Sequence, residues 1–86
     1  MKFKKKPVVI DALQFDGTLS GVHVIEAAFP TLKTLGMTSN IHSGKVSSWR
    51  INGGQHARPE DWIITCKPGE HYVCDPAIFA TNYERA

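Results

Sequence analysis

The tripeptide Asn52-Gly53-Gly54 is the sequence feature that most constrains the fold of this chain. It follows a run of apolar and polar residues from Val46 to Ile51 and precedes the short segment from Gln55 to Ala57. Asn and Gly adopt the positive φ angles of tight hairpin turns more readily than other residues. The sequence therefore predicts a β-hairpin here.

A second hairpin is predicted around Pro68-Gly69, between strands at Trp62 to Cys66 and His71 to Cys74. A two-residue loop would place Cys66 opposite His71. Side chains alternate between the faces of a strand, so this register directs Cys66 and Cys74 to opposite faces and argues against a disulfide. After Asp75-Pro76 we expect one helical turn reaching Phe79, with Tyr83 near a final short strand.

The first third of the chain predicts a strand followed by a helix. Val8 to Phe15 is largely apolar on both faces, with Asp11 as the polar exception on its face, which is typical of an internal or doubly covered strand. Thr18 can cap a helix that ends at Pro30. The apolar side of that helix consists of Leu19, Val22, Ile25 and Phe29, spaced by three and four residues.

The stretch from Thr31 to Lys45 is rich in Ser, Thr, Asn and Gly and has little periodicity. It is interpreted as a long connection that includes a short strand around Met37 to Ile41. The role of residues 30–45 stays open at this point.

The length of 86 residues predicts a single domain, 1–86, in which residues 1–6 are a basic lead-in. Hydrophobic residues make up 42% and charged residues 21% of the chain, which are ordinary globular values that indicate neither disorder nor a membrane protein. The apolar stretch after the lysines is interrupted by Asp11 and lacks a cleavage pattern, which argues against a signal peptide. We expect the protein in the cytoplasm of its host cell.

The net charge of +2 comes from the lead-in, which holds four of the ten basic residues. Residues 7–86 contain the other six basic residues and all eight acidic residues, so they carry a net charge of −2. A duplex-binding surface normally distributes basic residues over the fold. The lysines are therefore interpreted as a solvated strand lead-in, with contact to a polyanion as the alternative.

Catalytic and metal sites find little support in the sequence. His56, Cys66, His71 and Cys74 could in principle hold zinc, but the expected register separates the two thiols. Cys66 facing His71 is the one thiol–base pair that the pattern suggests, and Glu60-Asp61 is better explained as part of a turn. Because phosphate-binding and nucleophile motifs are absent as well, we expect no enzyme, no cofactor and no metal.

The hairpin around Asn52 offers the best candidate binding residues, which are Trp49, Arg50, His56 and Arg58. A base could stack on the Trp49 indole while an arginine binds phosphate. The alternative is that Trp49 and Trp62 are the large aromatic residues of a small core, with Arg50 simply alternating outward.

Both ends of the chain resemble a widespread group of small uncharacterised proteins of tailed phages and prophages. Those proteins begin Met-Lys-aromatic-x-Lys-Lys-Pro-Val-Val-Ile, as residues 1–10 do here. Their Pro-Gly-Asp-aromatic-Ile-Ile segment is similar to Pro59 to Ile64, with Glu60 in place of the glycine, which leaves a positive-φ turn there open. Their Gly-Glu-x-Tyr, Pro-x-Ile-Phe and Tyr-Glu endings resemble Gly69 to Tyr72, Pro76 to Phe79 and Tyr83-Glu84.

The resemblance implies a phage accessory protein and supplies no activity. By pattern the fold class is α+β: a small bent antiparallel sheet or SH3-like partial barrel with one packed helix. We expect a non-enzymatic binding protein that inhibits a bacterial defence system, either by binding a host protein complex or by sequestering a signal nucleotide. The alternatives are a virion structural or assembly component and a nucleic-acid-binding regulator.

Overall fold

The computed structural model describes residues 10–67 and 69–83, with the backbone alone at Cys66 and Lys67. These residues form two three-stranded antiparallel sheets and two helices, so the predicted α+β class is confirmed. The first sheet has the order β1-β5-β6 and the second the order β2-β3-β4. The elements are β1 Asp11–Gln14, α1 Leu19–Ala28, β2 Thr34–Asn40, β3 Lys45–Ile51, β4 His56–Ala57, β5 Trp62–Lys67, β6 Glu70–Cys74 and α2 Pro76–Asn82.

Helix α1 begins where Thr18 predicts it. The Thr18 hydroxyl accepts a hydrogen bond of 2.9 Å from the Gly21 backbone N–H, which satisfies one of the free donors of the first turn. Val22 and Ile25 are buried, whereas Leu19, predicted on the same apolar side, is 37% exposed. The helix ends at Ala28, two residues before Pro30.

The core lies between α1 and the inner faces of the two sheets. One cluster of buried side chains joins all three elements, so neither sheet has a separate core. Its members are Phe15, Val22, Ile25, Phe29, Leu32, Val46, Trp49, Ile51, Ala57 and Ile63.

Strand β1 differs from the predicted internal strand. It covers Asp11–Gln14 and pairs with β5 alone among the described strands, which makes it an edge. Asp11 is exposed and therefore needs no buried partner. Val8 and Val9, the predicted beginning of this strand, lie outside the described residues.

Strand β2 corrects the interpretation of residues 31–45 as a long connection with a short strand. Thr34–Asn40 forms a seven-residue strand that pairs with β3 through the turn at residues 41–44. The pairing is interrupted twice by an extra residue, which is Leu35 in β2 and Ser47 in β3. Such bulges disturb the alternation of side chains, which explains why the sequence shows no clear strand period.

The register of the β5–β6 hairpin differs by one residue from the prediction. Thr65, and not Cys66, lies opposite His71, and the next pair is Lys67 with Glu70. Cys66 is therefore an extra residue in a β-bulge, which a two-residue loop does not anticipate. The prediction that Cys66 and Cys74 point to opposite faces of the sheet stays a prediction, because the Cys66 side chain lies outside the described residues. Cys74 is a free thiol.

The end of the described chain is helical rather than extended. Asp75 caps α2 by accepting a 2.8 Å hydrogen bond from the Ala77 N–H, and the helix continues past the predicted single turn to Asn82. Tyr83 closes this helix, since its N–H donates to the Phe79 carbonyl at 3.0 Å. Tyr83 itself has an extended backbone but belongs to no described strand, and the rest of the predicted final short strand, residues 84–86, lies outside the described residues.

Residues 58–61 form a tight turn in which Glu60 has a φ of 79°. The Asp61 N–H donates to the Arg58 carbonyl at 3.0 Å, and Pro59 precedes Glu60, as a type II turn requires. The turn therefore has a positive φ at Glu60, although the resembling phage proteins have glycine at this position. The Glu60 N–H donates to the Phe15 carbonyl at 2.7 Å, which ties this turn to the end of β1.

Candidate binding surface

Trp49 belongs to the core and presents no aromatic face to solvent. Its side chain is 0% exposed, and its ring centroid lies 5.2 Å from that of Phe15. The indole Nε1–H donates to the Thr34 hydroxyl at 2.9 Å, so its polar group is also satisfied. The expectation that Trp49 stacks on a base is therefore wrong, and the alternative of a core aromatic is confirmed.

Arg50 and His56 face each other across β3 and β4, and both side chains are exposed. Because Trp49 and Ile51 point into the core, alternation places Arg50 on the outer face of the second sheet. On the other side of Arg50 lies Gly36, where an added Cβ would be 3.8 Å from a guanidinium nitrogen. The Arg50 guanidinium therefore lies beside Gly36, at a distance where a Cβ would be in ordinary van der Waals contact with it.

Arg58 extends this exposed basic set past the end of β4. Its backbone N–H donates to Asp61 Oδ2 at 2.9 Å, which fixes the chain direction without engaging the guanidinium. Within residues 10–67 and 69–83, neither Arg50 nor Arg58 has an ion-pair partner. We call Arg50, His56 and Arg58 the outer basic surface.

His56 makes one weak polar contact within this surface. Its Nδ1 lies 3.5 Å from the Ser48 hydroxyl, at the limit of a hydrogen bond. Arg50 and Arg58 each contribute a positively charged, planar guanidinium with several N–H donors. The surface therefore offers fixed charge and planar donors that suit carboxylate or phosphate.

A groove that sequence reasoning missed lies beside the beginning of α1. It has a volume of about 520 Å³ and is bordered by the Asp16–Thr18 turn, the β2–β3 hairpin and Pro59. Asp16 Oδ1 accepts hydrogen bonds from the Thr18 hydroxyl at 2.6 Å and from its N–H at 2.9 Å. The hydroxyl, followed by the backbone N–H, lowers the pKa of Asp16. None of the four predicted binding residues borders this groove.

His71, one of the candidate zinc ligands, is a buried structural residue with 5% exposure. Its Nδ1 lies 2.7 Å from the Thr65 hydroxyl and its Nε2 lies 2.8 Å from the Thr31 hydroxyl. Burial lowers the pKa of His71, because a charged imidazole would lose its hydration. Both nitrogens are occupied, so the ring joins the segment that follows α1 to the first sheet.

The other candidate groups for chemistry are also dispersed. Burial, followed by the nearby carboxylates of Asp75 and Asp61, raises the pKa of the Cys74 thiol, which keeps it protonated near neutral pH. Among the described side chains, no three His, Cys, Asp or Glu residues lie close enough to hold a metal ion. Asp61 stabilises the 58–61 turn, in agreement with the interpretation of Glu60-Asp61 as a turn element.

Trp62 lies in a stack of aromatic rings outside the main core. Its ring is 4.1 Å from that of Phe79 with an interplanar angle of 7°, and Phe79 is 5.0 Å from Tyr83. Trp62 is only half-buried, so the prediction of a core residue is partly correct. The stack attaches α2 to the first sheet.

Comparison with known proteins adds no assignment, since no family model, curated protein or solved structure matches the chain. Neither α1 nor α2 has the length and hydrophobicity to span a bilayer.

Proposed function

We propose that this chain is a non-enzymatic accessory binding protein of a tailed phage or prophage, acting in the host cytoplasm. Its target in this proposal is a protein complex of a bacterial defence system, which it inhibits by contact. The resemblance of both chain ends to phage proteins supports the setting. One observation carries the binding role: Arg50 and His56 are paired across two strands, exposed, and without a described acidic partner.

The shape of the outer basic surface favours a macromolecular partner. Arg50 and His56 project from the outer face of a short sheet, next to Gly36. Arginine is enriched at protein interfaces, where its planar guanidinium binds carboxylates with two parallel hydrogen bonds. An acidic protein surface therefore matches this site better than a compact ligand does.

Sequestration of a signal nucleotide has less support. A nucleotide site is normally concave and buries most of its ligand, often against an aromatic ring. Trp49, the expected stacking partner, is fully buried, and the groove of about 520 Å³ excludes Arg50, His56 and Arg58. Protein binding is therefore the alternative that we retain.

The proposal is tested by the plating efficiency of a defence-sensitive phage. Host strains that each carry one defence system express either this chain or an empty vector. We expect plating efficiency to rise in at least one strain and to stay unchanged in a matched strain without a defence system.

Three results would contradict the proposed function. The first is that plating efficiency rises in none of the strains. The second is that the protein is a stoichiometric component of purified virions, which indicates a structural role. The third is tight DNA binding that weakens steeply with salt, which indicates a nucleic-acid-binding regulator.

A further inference from the structure

The outer edge of β2 is long, uncharged and unpaired within residues 10–67 and 69–83. No Lys, Arg, Asp or Glu occurs from Thr34 to Gly44, and none of these residues is proline. Natural edge strands usually carry charges or prolines, because a bare edge pairs with other strands. An edge of this composition is suited to strand addition.

Three apolar side chains are exposed on or beside this edge. Leu35 is 52%, Met37 36% and Ile41 85% exposed. We propose that β2 pairs antiparallel with β2 of a second copy of this chain, about a two-fold axis at Thr38. This proposal does not depend on the proposed function.

The register at Thr38 follows from self-complementarity. A two-fold axis there places Thr38 opposite its own copy and brings Leu35 level with the partner's Ile41, just beyond each end of the shared ladder. Met37 then lies opposite the partner's Ser39. The bulge at Leu35 limits the regular ladder to residues 36–40.

Charge does not oppose a second copy as the occupant of this edge. In the Thr38 register the nearest strand-flanking cation, Lys33, lies opposite the partner's Ser43, and no two like charges face each other. Like charges directly opposite in a ladder destabilise it, so their absence permits self-pairing. Each chain contributes the same patch, as a two-fold interface requires.

The resulting sheet would have six strands, in the order β4-β3-β2 followed by the same strands reversed. A two-fold axis perpendicular to a sheet leaves equivalent faces on the same side. The two copies of Arg50 and His56 would therefore lie on one continuous outer face.

The experiment is sedimentation equilibrium on the full chain over a concentration series. We expect the wild-type mass to approach twice the 9.5 kDa of one chain. Thr38→Lys and Thr38→Glu should each weaken dimerisation by about fivefold or more, since each places like charges opposite each other. An equimolar mixture of the two variants should recover the dimer, because the lysine of one chain then faces the glutamate of the other.

Thr81→Lys and Thr81→Glu are matched controls, because Thr81 is exposed on α2, which packs on the first sheet and not on β2. They should dimerise like the wild type. The proposal is overturned if the wild-type chain stays monomeric at millimolar concentration, or if either Thr38 variant dimerises like the wild type. It is equally overturned if the mixture shows no recovery, because the two copies of residue 38 then do not lie opposite each other.

Discussion

The side-chain amide of Gln55 pairs with the backbone of Val73 as a neighbouring strand would. Gln55 Oε1 accepts from the Val73 N–H at 2.8 Å, and its Nε2 donates to the His71 carbonyl at 3.1 Å. Gln55 lies just before β4, in the second sheet, whereas Val73 lies in β6, at an edge of the first. One side chain thus joins the two sheets and occupies part of the β6 edge.

Gln55→Ala should lower the free energy of unfolding by about 1–3 kcal/mol, because it leaves two part-buried backbone groups without partners. For a chain of this size that loss corresponds to a fall of about 4–8 °C in Tm per kcal/mol. Urea unfolding measures it. Gln14→Ala is the control, since exposed Gln14 makes a single 2.9 Å bond to the Glu60 carbonyl and its loss should cost about 0.5 kcal/mol or less. Equal losses in the two variants would show that Gln55 does not join the sheets.

Glu60→Gly should stabilise the protein by about 1 kcal/mol. Glu60 has a φ of 79°, a conformation that a side chain disfavours and glycine accepts. Glu70→Gly, in β6 and without positive φ, should instead destabilise the protein by about 0.5–1 kcal/mol through chain entropy. Thermal unfolding of both variants tests the difference, and a similar loss of Tm in both would contradict a strained turn.

Stability should fall as the pH drops below the ordinary histidine pKa of 6.5. Burial lowers the pKa of His71 in the folded state, so between the folded and unfolded values the unfolded chain binds more protons. The stabilisation is therefore complete above the unfolded pKa and is lost as the pH falls from there towards the folded pKa.

Urea midpoints measured from about pH 7.5 to about pH 5 report this dependence. The slope should be much reduced in His71→Gln and retained in His23→Gln, whose parent side chain is exposed on α1. An unchanged slope in His71→Gln would assign the dependence to another group.

Local patterns predicted much of the fold. Thr18 and the spacing of Val22 and Ile25 predict α1, because capping and the burial of one helix face are short-range effects. Asn52-Gly53-Gly54 predicts the β3–β4 turn, in which the Ile51 N–H donates to the Gln55 carbonyl at 3.0 Å.

Features that depend on bulges or distant contacts were missed. The extra residues at Leu35 and Cys66 change a register without a clear sequence signal. The pairing of Gln55 with β6 joins segments that only the tertiary fold brings together. Alternation separates Trp49 from Arg50 but does not say which of the two faces the core, so the buried Trp49 was wrongly included among the candidate binding residues.

In the proposed function the outer basic surface, and not an aromatic platform, contacts the partner. Phage plating efficiency in a defence-carrying strain that expresses the Arg50→Ala/Arg58→Ala variant tests this contact. Both side chains are exposed, so Tm should stay within a few degrees of the wild type.

Protection should be lost, because each charge-assisted contact contributes about 1.5–3 kcal/mol, or roughly 10- to 150-fold in affinity. Lys33→Ala, which removes an exposed positive charge outside this surface, should protect like the wild type. Full protection by the folded double-arginine variant would show that Arg50 and Arg58 do not contact the partner.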